Sequence, residues 1–445
     1  MTPQGVKELV EVAMRAHKAG RLQEAARAYQ QVLTHDANNV VALSNLGLLL
    51  GEMKQYEQAE NLLRRVMNQA PNHVEVYANL GAVLHDQNKF DEAIAYCERG
   101  LKLVSDNKKL LNTLASSLSG AGRYDDAIAL LTRMIAARPG FAKGSYFLGT
   151  IYTKLGRCEE AVQAFKRATE IDPGDVASFV AAGECLLVHG RAETALEELE
   201  KALKLNAYDV RALALKTLAL AELGRTEEER WLSDPDRLLH VHRLADLGYA
   251  ADQIAVLNRE LSEFASNEPS LREDPPEYAT LKAWHSTTNL ADHRNEAVAV
   301  LKQFITHAFE QRVGGLPLED QAHPFVRSAP RKFHLDLWAI KMQGGGKLFP
   351  HIHADGWLSG VYYVDVPKIV DDPNAGRAGW LNIGTSRTDI KLTKEPLTRL
   401  VKPEPGLMVT FPSYFWHDTV PLPADNEEQR LCLAFDLHPI RGGRG

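Results

Sequence analysis

An all-α array of helix pairs followed by an all-β domain is the fold class that this sequence of 445 residues predicts. Three observations carry the prediction: a motif that recurs every 34 residues in the first half, its loss near Arg230, and an apolar period of two from Lys332 onward. With 45% apolar and 24% charged residues, the composition is that of a folded chain with room for two or three domains. A net charge of −7, with lysines and arginines scattered, provides no basic field for nucleic acid. The 4 cysteines lie far apart without a CxxC pair, which fits reduced thiols better than a disulfide framework or a zinc site. The stretch "MTPQGVKELVEVAMRAHKAG" lacks the apolar core of a secretion signal, and no segment reaches membrane-spanning length. The expectation is a cytoplasmic protein with no membrane partner.

The first element is the repeat array. "GRLQEAARAYQQVL" from Gly20, "GRYDDAIALLTRMI" from Gly122, "GRCEEAVQAFKRAT" from Gly156 and "GRAETALEELEKAL" from Gly190 share one register. Steps of 34 from Ala25 reach Ala59, Ala93, Ala127, Ala161 and Ala195, and a second ladder runs through Gly47, Gly81, Ala115, Gly149 and Gly183. This pattern resembles the tetratricopeptide repeat, which puts small residues where paired helices cross closely. No single unit can bury its apolar face alone, so neighbours stack into a superhelix. Six units span residues 4–209, and a degenerate seventh from Val210, with Glu229 in the alanine position, caps an array assigned to residues 1–230. The resemblance implies a groove for an extended peptide, with Asn45 and Asn79, one period apart, as candidate substrate contacts; solvated groove positions are the plain alternative for both.

Residues 231–331 lose the ladder. "YAADQIAVLNRELSEFA" and "RNEAVAVLKQFITHAFEQRV" have helical spacing and are expected to pack on the outside of the following domain, whereas "SNEPSLREDPPEYATLKAWHSTTNL" reads as a long loop. The histidines scattered through this region are read as polar side chains with local partners.

Residues 332–445 read as strands: "KFHLDLWAIKM", "WLSGVYYVDV", "GWLNIG", "LTRLVKP", "GLMVTFP", "WHDTVPL" and "RLCLAFDLHP", separated by Gly, Pro, Asn and Asp turns, as in a sandwich or jelly roll. In "FPHIHADGWLSGVYY", alternation would turn His351, His353 and, if extension persists, Asp355 to one face. Desolvating three such groups together costs several kcal/mol unless something binds them, so an exposed loop is the competing reading. Against that reading stand His417, in aromatic surroundings, and Arg430, a guanidinium inside an apolar run that requires a buried anion. Two imidazoles, a carboxylate and an inward arginine suit non-haem Fe(II) with open positions for a co-substrate and O2.

On these residues, "WAIKMQGGGKLFPHIHADGWLSGVYYVDVP", "AGWLNIG" and "PGLMVTFPSYFWHDTVPL…RLCLAFD" resemble the iron- and 2-oxoglutarate-dependent oxygenases, more closely the bacterial subfamily that joins such a domain to tetratricopeptide repeats. The resemblance implies a multidomain α + β protein whose second half is a double-stranded β-helix, or jelly roll, with flanking helices. It also implies a dioxygenase that uses Fe(II), 2-oxoglutarate and O2 to hydroxylate a side chain of a peptide or protein held by the repeats. His353, Asp355 and His417 would be the metal ligands, and Arg430 would hold the distal carboxylate of 2-oxoglutarate, with Cys432 where relatives often carry serine. A ligand set that includes His351 also fits; the set with Asp355 is favoured because it supplies a carboxylate. Alternation places Tyr362 or Tyr363 toward the co-substrate, and Trp357 and Asn382 are candidate substrate contacts; packing is the plain role for the aromatic residues, including Trp338 and Trp416. "GGGK" from Gly344 is read as a turn leading to the metal rather than a phosphate loop. Three rivals remain: an oxygenase for a small metabolite, a scaffold without catalysis, and a cupin-like metal protein using His351 and His353.

Overall fold

The computed structural model describes residues 2–275, 279–316, 320 and 322–440. Two compact units divide the chain, Met1–Ile171 and Asp172–Gly445. The first unit comprises five helix pairs: Pro3–Lys18 with Leu22–His35, Val40–Glu52 with Tyr56–Gln69, Val74–Asp86 with Phe90–Leu103, Lys108–Gly120 with Tyr124–Ala137, and Ala142–Lys154 with Cys158–Ile171. The small-residue ladders explain the pairing. Ala25, Ala59, Ala93, Ala127 and Ala161 are fully buried, and a methyl group on Gly47 would sit 2.7 Å from Leu63 of the partner helix. Between the helices of each pair the chain turns through a left-handed residue, glycine at 20, 122 and 156 but Lys54 and Asn88 in the second and third pairs. Those two side chains adopt this backbone at a cost of about 1 kcal/mol each, offset by the packing of the pair.

The second unit continues the 34-residue step through Val176–Val188 with Ala192–Leu205 and Val210–Leu223 with Thr226–Ser233. At Glu229 the step changes purpose. Where earlier pairs bury alanine, Glu229 is buried with its carboxylate accepting the Leu397 N–H at 2.7 Å, and burial pushes its carboxyl above the ordinary range. The same helices hold the second half of the chain at further points. Trp416 Nε1 donates to Ala214 O at 2.9 Å, Tyr208 Oη to Trp357 O at 2.8 Å and Tyr414 Oη to Leu232 O at 2.7 Å. Thr393 donates to Glu222, and Arg387 pairs with Glu184. These last two helix pairs are therefore built into the same body as the strands.

Among the described residues ten strands follow: β1 (His240–Arg243), β2 (Leu271–Glu273), β3 (Thr280–Ser286), β4 (Phe333–Leu348), β5 (Leu358–Asp365), β6 (Leu381–Ile383), β7 (Arg399–Val401), β8 (Leu407–Pro412), β9 (His417–Thr419) and β10 (Arg430–Pro439). They form a seven-stranded sheet, β1-β8-β5-β10-β4-β3-β2, and a three-stranded sheet, β7-β6-β9, antiparallel throughout, the arrangement expected of a β-sandwich or jelly roll. β5, β8 and β10 are buried along nearly their whole length, so both of their faces are covered. On one face the helices Ala251–Ser266 and Glu296–Gly314 pack, Asn258 accepting from Tyr362 Oη at 2.6 Å and Phe304 meeting the Tyr362 ring edge-on. The other face turns toward the cavity described below.

Two expectations need correction. The segment read as a long loop contains β2 and β3, which add to the edge of the large sheet, and β1 adds to the other edge. Short polar strands carry little periodicity of their own, and β3 is specified mainly by pairing with β4. "GGGK" lies within β4 rather than in a turn, and a methyl group on Gly344 would fall 2.6 Å from Ala424 O. The glycines thus let the 422–426 loop run against the strand, with Gly345 N bonded to Leu422 O. Among the described residues, no helix is long and apolar enough to cross a membrane.

A fragment of residues 172–445 is expected to melt in one cooperative transition. A fragment cut at 231 leaves Trp416 Nε1 and Leu397 N without acceptors, at about 1–3 kcal/mol each, and is expected to lose that transition in calorimetry.

Candidate metal centre

The site begins with a backbone pairing. His351 and His417 exchange both N–H···O bonds at 3.1 Å in an isolated antiparallel bridge, which turns two side chains to the same face. His353 N bonds to Ser413 O at 3.2 Å. The three rings gather with centroids 4.2 Å (His351–His417), 5.0 Å (His353–His417) and 5.2 Å (His351–His353) apart. Each offers a ligand atom within 4.8 Å of the others.

Hydrogen bonding determines which nitrogen each ring offers. His351 Nδ1 lies 2.8 Å from Phe349 O and His417 Nδ1 lies 3.0 Å from Phe415 O. A carbonyl oxygen only accepts, so both Nδ1 atoms carry the proton and Nε2 keeps its lone pair. His353 Nδ1 lies 2.7 Å from both carboxylate oxygens of Asp436 and donates likewise. Burial, reinforced by neighbouring imidazoles, pushes His351 down to about 3 and His417 well below its ordinary value. Both rings are therefore neutral at neutral pH, the form that binds metal. Three imidazoles whose Nδ1 atoms are each held by an acceptor, with Nε2 turned to the others, fit a divalent transition ion.

Asp355 stands apart from this group. The extended chain ends at Ala354, where a turn begins and Gly356 N bonds back to His353 O. The alternation that would place Asp355 beside His353 is broken there, and Asp355 is exposed at the edge of the cavity. The histidines that converge are the set containing His351.

One cavity of about 690 Å³ takes in His351, His353, His417, Arg430, Trp338 and Asp418, a volume suited to small ligands. Arg430 is 1% exposed. Its guanidinium lies over the Tyr363 ring at 5.1 Å, Nη1 reaches Cys432 Sγ at 3.6 Å, and Nε has no hydrogen-bond partner. Among the described residues no carboxylate forms an ion pair with it. A buried cation in this state calls for an anionic ligand. Beside it the β5–β10 register shifts at Leu431/Cys432, a bulge of the kind that re-aims side chains near sites.

Other candidates fall elsewhere. Tyr362 points away, to Asn258, and Tyr363 is the tyrosine beside the arginine. Trp357 is fully buried, stacked on Phe325 with Nε1 donating to Phe325 O, and works as a packing anchor. Asn382 bonds to Asp418, whose carboxyl burial pushes up to about 6. Asn79 is buried and donates to Ser44 O of the preceding repeat at 3.4 Å, while Asn45 is half-buried. Trp338, expected in the core, lines the cavity 5.5 Å from the His353 ring, and Trp416 is buried. Sequence reading passed over Asp436. The alternation that singles out Arg430 runs on through Cys432 and Ala434 to Asp436, an acid in the same apolar strand, and would have marked it.

A family model described as "Putative 2OG-Fe(II) oxygenase" matches residues 336–436, and tetratricopeptide-repeat models match residues 16–84, 74–107 and 112–176. The chain thus joins tetratricopeptide repeats to a domain of the 2OG-Fe(II) oxygenase type, a type that works with Fe(II), 2-oxoglutarate and O2. No curated protein matches the chain. Among solved structures, YrrB, described as a TPR protein with an unusual peptide-binding site, is 23% identical over 43% of this chain and 100% of its own, with a TM-score of 0.34. A tetratricopeptide repeat protein from Parabacteroides merdae is 19% identical over 49% of this chain and 86% of its own, at TM-score 0.42. MamA AMB-1 is 28% identical over 37% of this chain and 98% of its own, at TM-score 0.32.

Arg430→Met removes the uncompensated buried charge and keeps most of the volume. Denaturant unfolding of the ligand-free protein is expected to show it more stable than the parent by about 1 kcal/mol or more.

Proposed function

We propose that the chain is a 2-oxoglutarate-dependent hydroxylase acting on a side chain of a peptide or protein, with Fe(II) held by His351, His353 and His417 and the distal carboxylate of 2-oxoglutarate held by Arg430. One observation carries this reading: a single cavity contains three imidazoles whose Nδ1 protons are already committed and a buried arginine with no counter-anion among the described residues. Bound iron would supply O2 activation coupled to decarboxylation of 2-oxoglutarate to succinate and CO2, with the second oxygen atom passing to a C–H bond of the substrate. The protein's part is placement. Arg430 orients the co-substrate by a charge-assisted bond, Tyr363 backs its guanidinium, and Trp338 and Phe411 wall the cavity and limit water. The repeats support a peptide or protein substrate, because binding away from the iron raises the effective concentration of the target residue. The four cysteines, all buried and none in a disulfide, agree with a reducing cytoplasm.

The test is an anaerobic titration of the full-length protein with Fe(II) and 2-oxoglutarate, followed by O2, with succinate read by NMR. Succinate is expected from the parent and from Asp355→Ala, and none from His351→Ala. Activity surviving in His351→Ala but lost in Asp355→Ala would reverse the ligand assignment. Arg430→Met is expected to raise the half-saturating 2-oxoglutarate concentration by about tenfold to a hundredfold, the equivalent of one lost charge-assisted hydrogen bond. For the substrate, peptides are offered during turnover and checked for a gain of one oxygen atom by mass spectrometry. If a small metabolite is oxidised while peptides neither gain oxygen nor stimulate succinate release, the peptide reading fails.

A further inference from the structure

Strand β10 turns Arg430, Cys432, Ala434 and Asp436 toward the cavity. Its two charges stand six residues apart, about 20 Å along an extended chain, too far to neutralise each other. The arginine end is accounted for by an anionic co-substrate. The aspartate end is not yet accounted for.

Asp436 is 7% exposed and sits on a central strand, between Asp336 of β4 and Ser359 of β5. Ser359 Oγ donates to its Oδ1 at 2.6 Å and lies 2.9 Å from Ser413 Oγ. His353 Nδ1 donates to both of its oxygens. No lysine or arginine forms an ion pair with it among the described residues. A buried carboxylate whose neighbours are the imidazoles of His353 and His438 and the Ser359 hydroxyl, with no lysine or arginine, is costly unless a cation lies close by.

The three histidines differ in just this respect. His351 and His417 give their Nδ1 protons to neutral peptide carbonyls, whereas His353 gives its proton to a carboxylate. Three imidazole nitrogens bring no negative charge to a divalent ion, and Asp355, which could have brought one, lies outside the group. Resting on the ligand set proposed above, we infer that Asp436 is the positioning residue that supplies, through His353, the negative charge the metal centre lacks among its own ligands. An anionic acceptor draws the Nδ1 proton away from the ring and makes Nε2 a stronger donor, so Asp436 governs how tightly the metal is held.

Asp436→Asn tests the charge with little change of shape, since the amide oxygen can still accept from His353 Nδ1 and the amide nitrogen can face Ser359. Full-length metal-free protein is titrated with Co(II), followed by visible absorption. Affinity is expected to fall about tenfold to a hundredfold in the variant, while the melting temperature of the metal-free protein does not fall. Proton NMR of the cobalt-loaded parent should show three exchangeable, strongly shifted N–H signals, one per ligand, and the variant should displace only one of them. Parent-like affinity with all three signals unmoved overturns the inference. If Asp436→Asn does not fold, Ser359→Ala keeps the charge but removes its hydroxyl donor. That variant is expected to move the same single signal with a smaller loss of affinity, and an unmoved signal overturns the inference as well. The reading it rests on fails separately, if His351→Ala binds Co(II) as tightly as the parent.

Discussion

Two backbone hydrogen bonds, His351 to His417 and the reverse, are the constraint on which the candidate site depends. They join the segment after β4 to the first residue of β9, and so bring together two imidazoles 66 positions apart in sequence. β9 itself is only three residues long and is held by β6, with Ile383 opposite His417. So short a strand has little stability of its own. Its position is secured from the preceding residues: Trp416 is tied to Ala214 and Tyr414 to Leu232.

That anchoring changes the meaning of the last repeats. Helix pairs of this kind need neighbours to cover their apolar faces, and here the final pair is covered by the oxygenase-type domain. Glu229 marks the change. An alanine position that elsewhere closes helix against helix holds a carboxylate that receives a backbone N–H from the strand-bearing half. The last repeats are therefore structural members of the same compact unit as the strands, and whatever engages them is mechanically close to β9.

The cavity is organised around two buried charges on β10. Arg430 and Asp436 lie on one face of one strand and are both buried; among the described residues Arg430 has no carboxylate partner, and Asp436 is paired with the His353 imidazole alone. Burying such groups is costly unless a ligand of opposite charge offsets it. In the proposed function, a metal and an acidic co-substrate are the ligands that would complete the electrostatics of this cavity.

Periodicity is a local property, and everything periodic was legible in the sequence alone. The 34-residue ladder gives the helix pairs, and the change to period two gives the strands and the inward face of β10, with Arg430 on it. Convergence is not local. Which histidines meet depends on a turn at Ala354 that ends the alternation before Asp355, and on a bridge to His417 that no spacing encodes. Whether Tyr362 or Tyr363 faces inward, and that the polar stretch around Thr280 becomes a strand, follow from pairing with β10 and β4 respectively. Sequence determined which chemistry the chain carries, and only tertiary pairing decided which of those groups share one cavity, because backbone bonds between distant strands set the faces on which they meet.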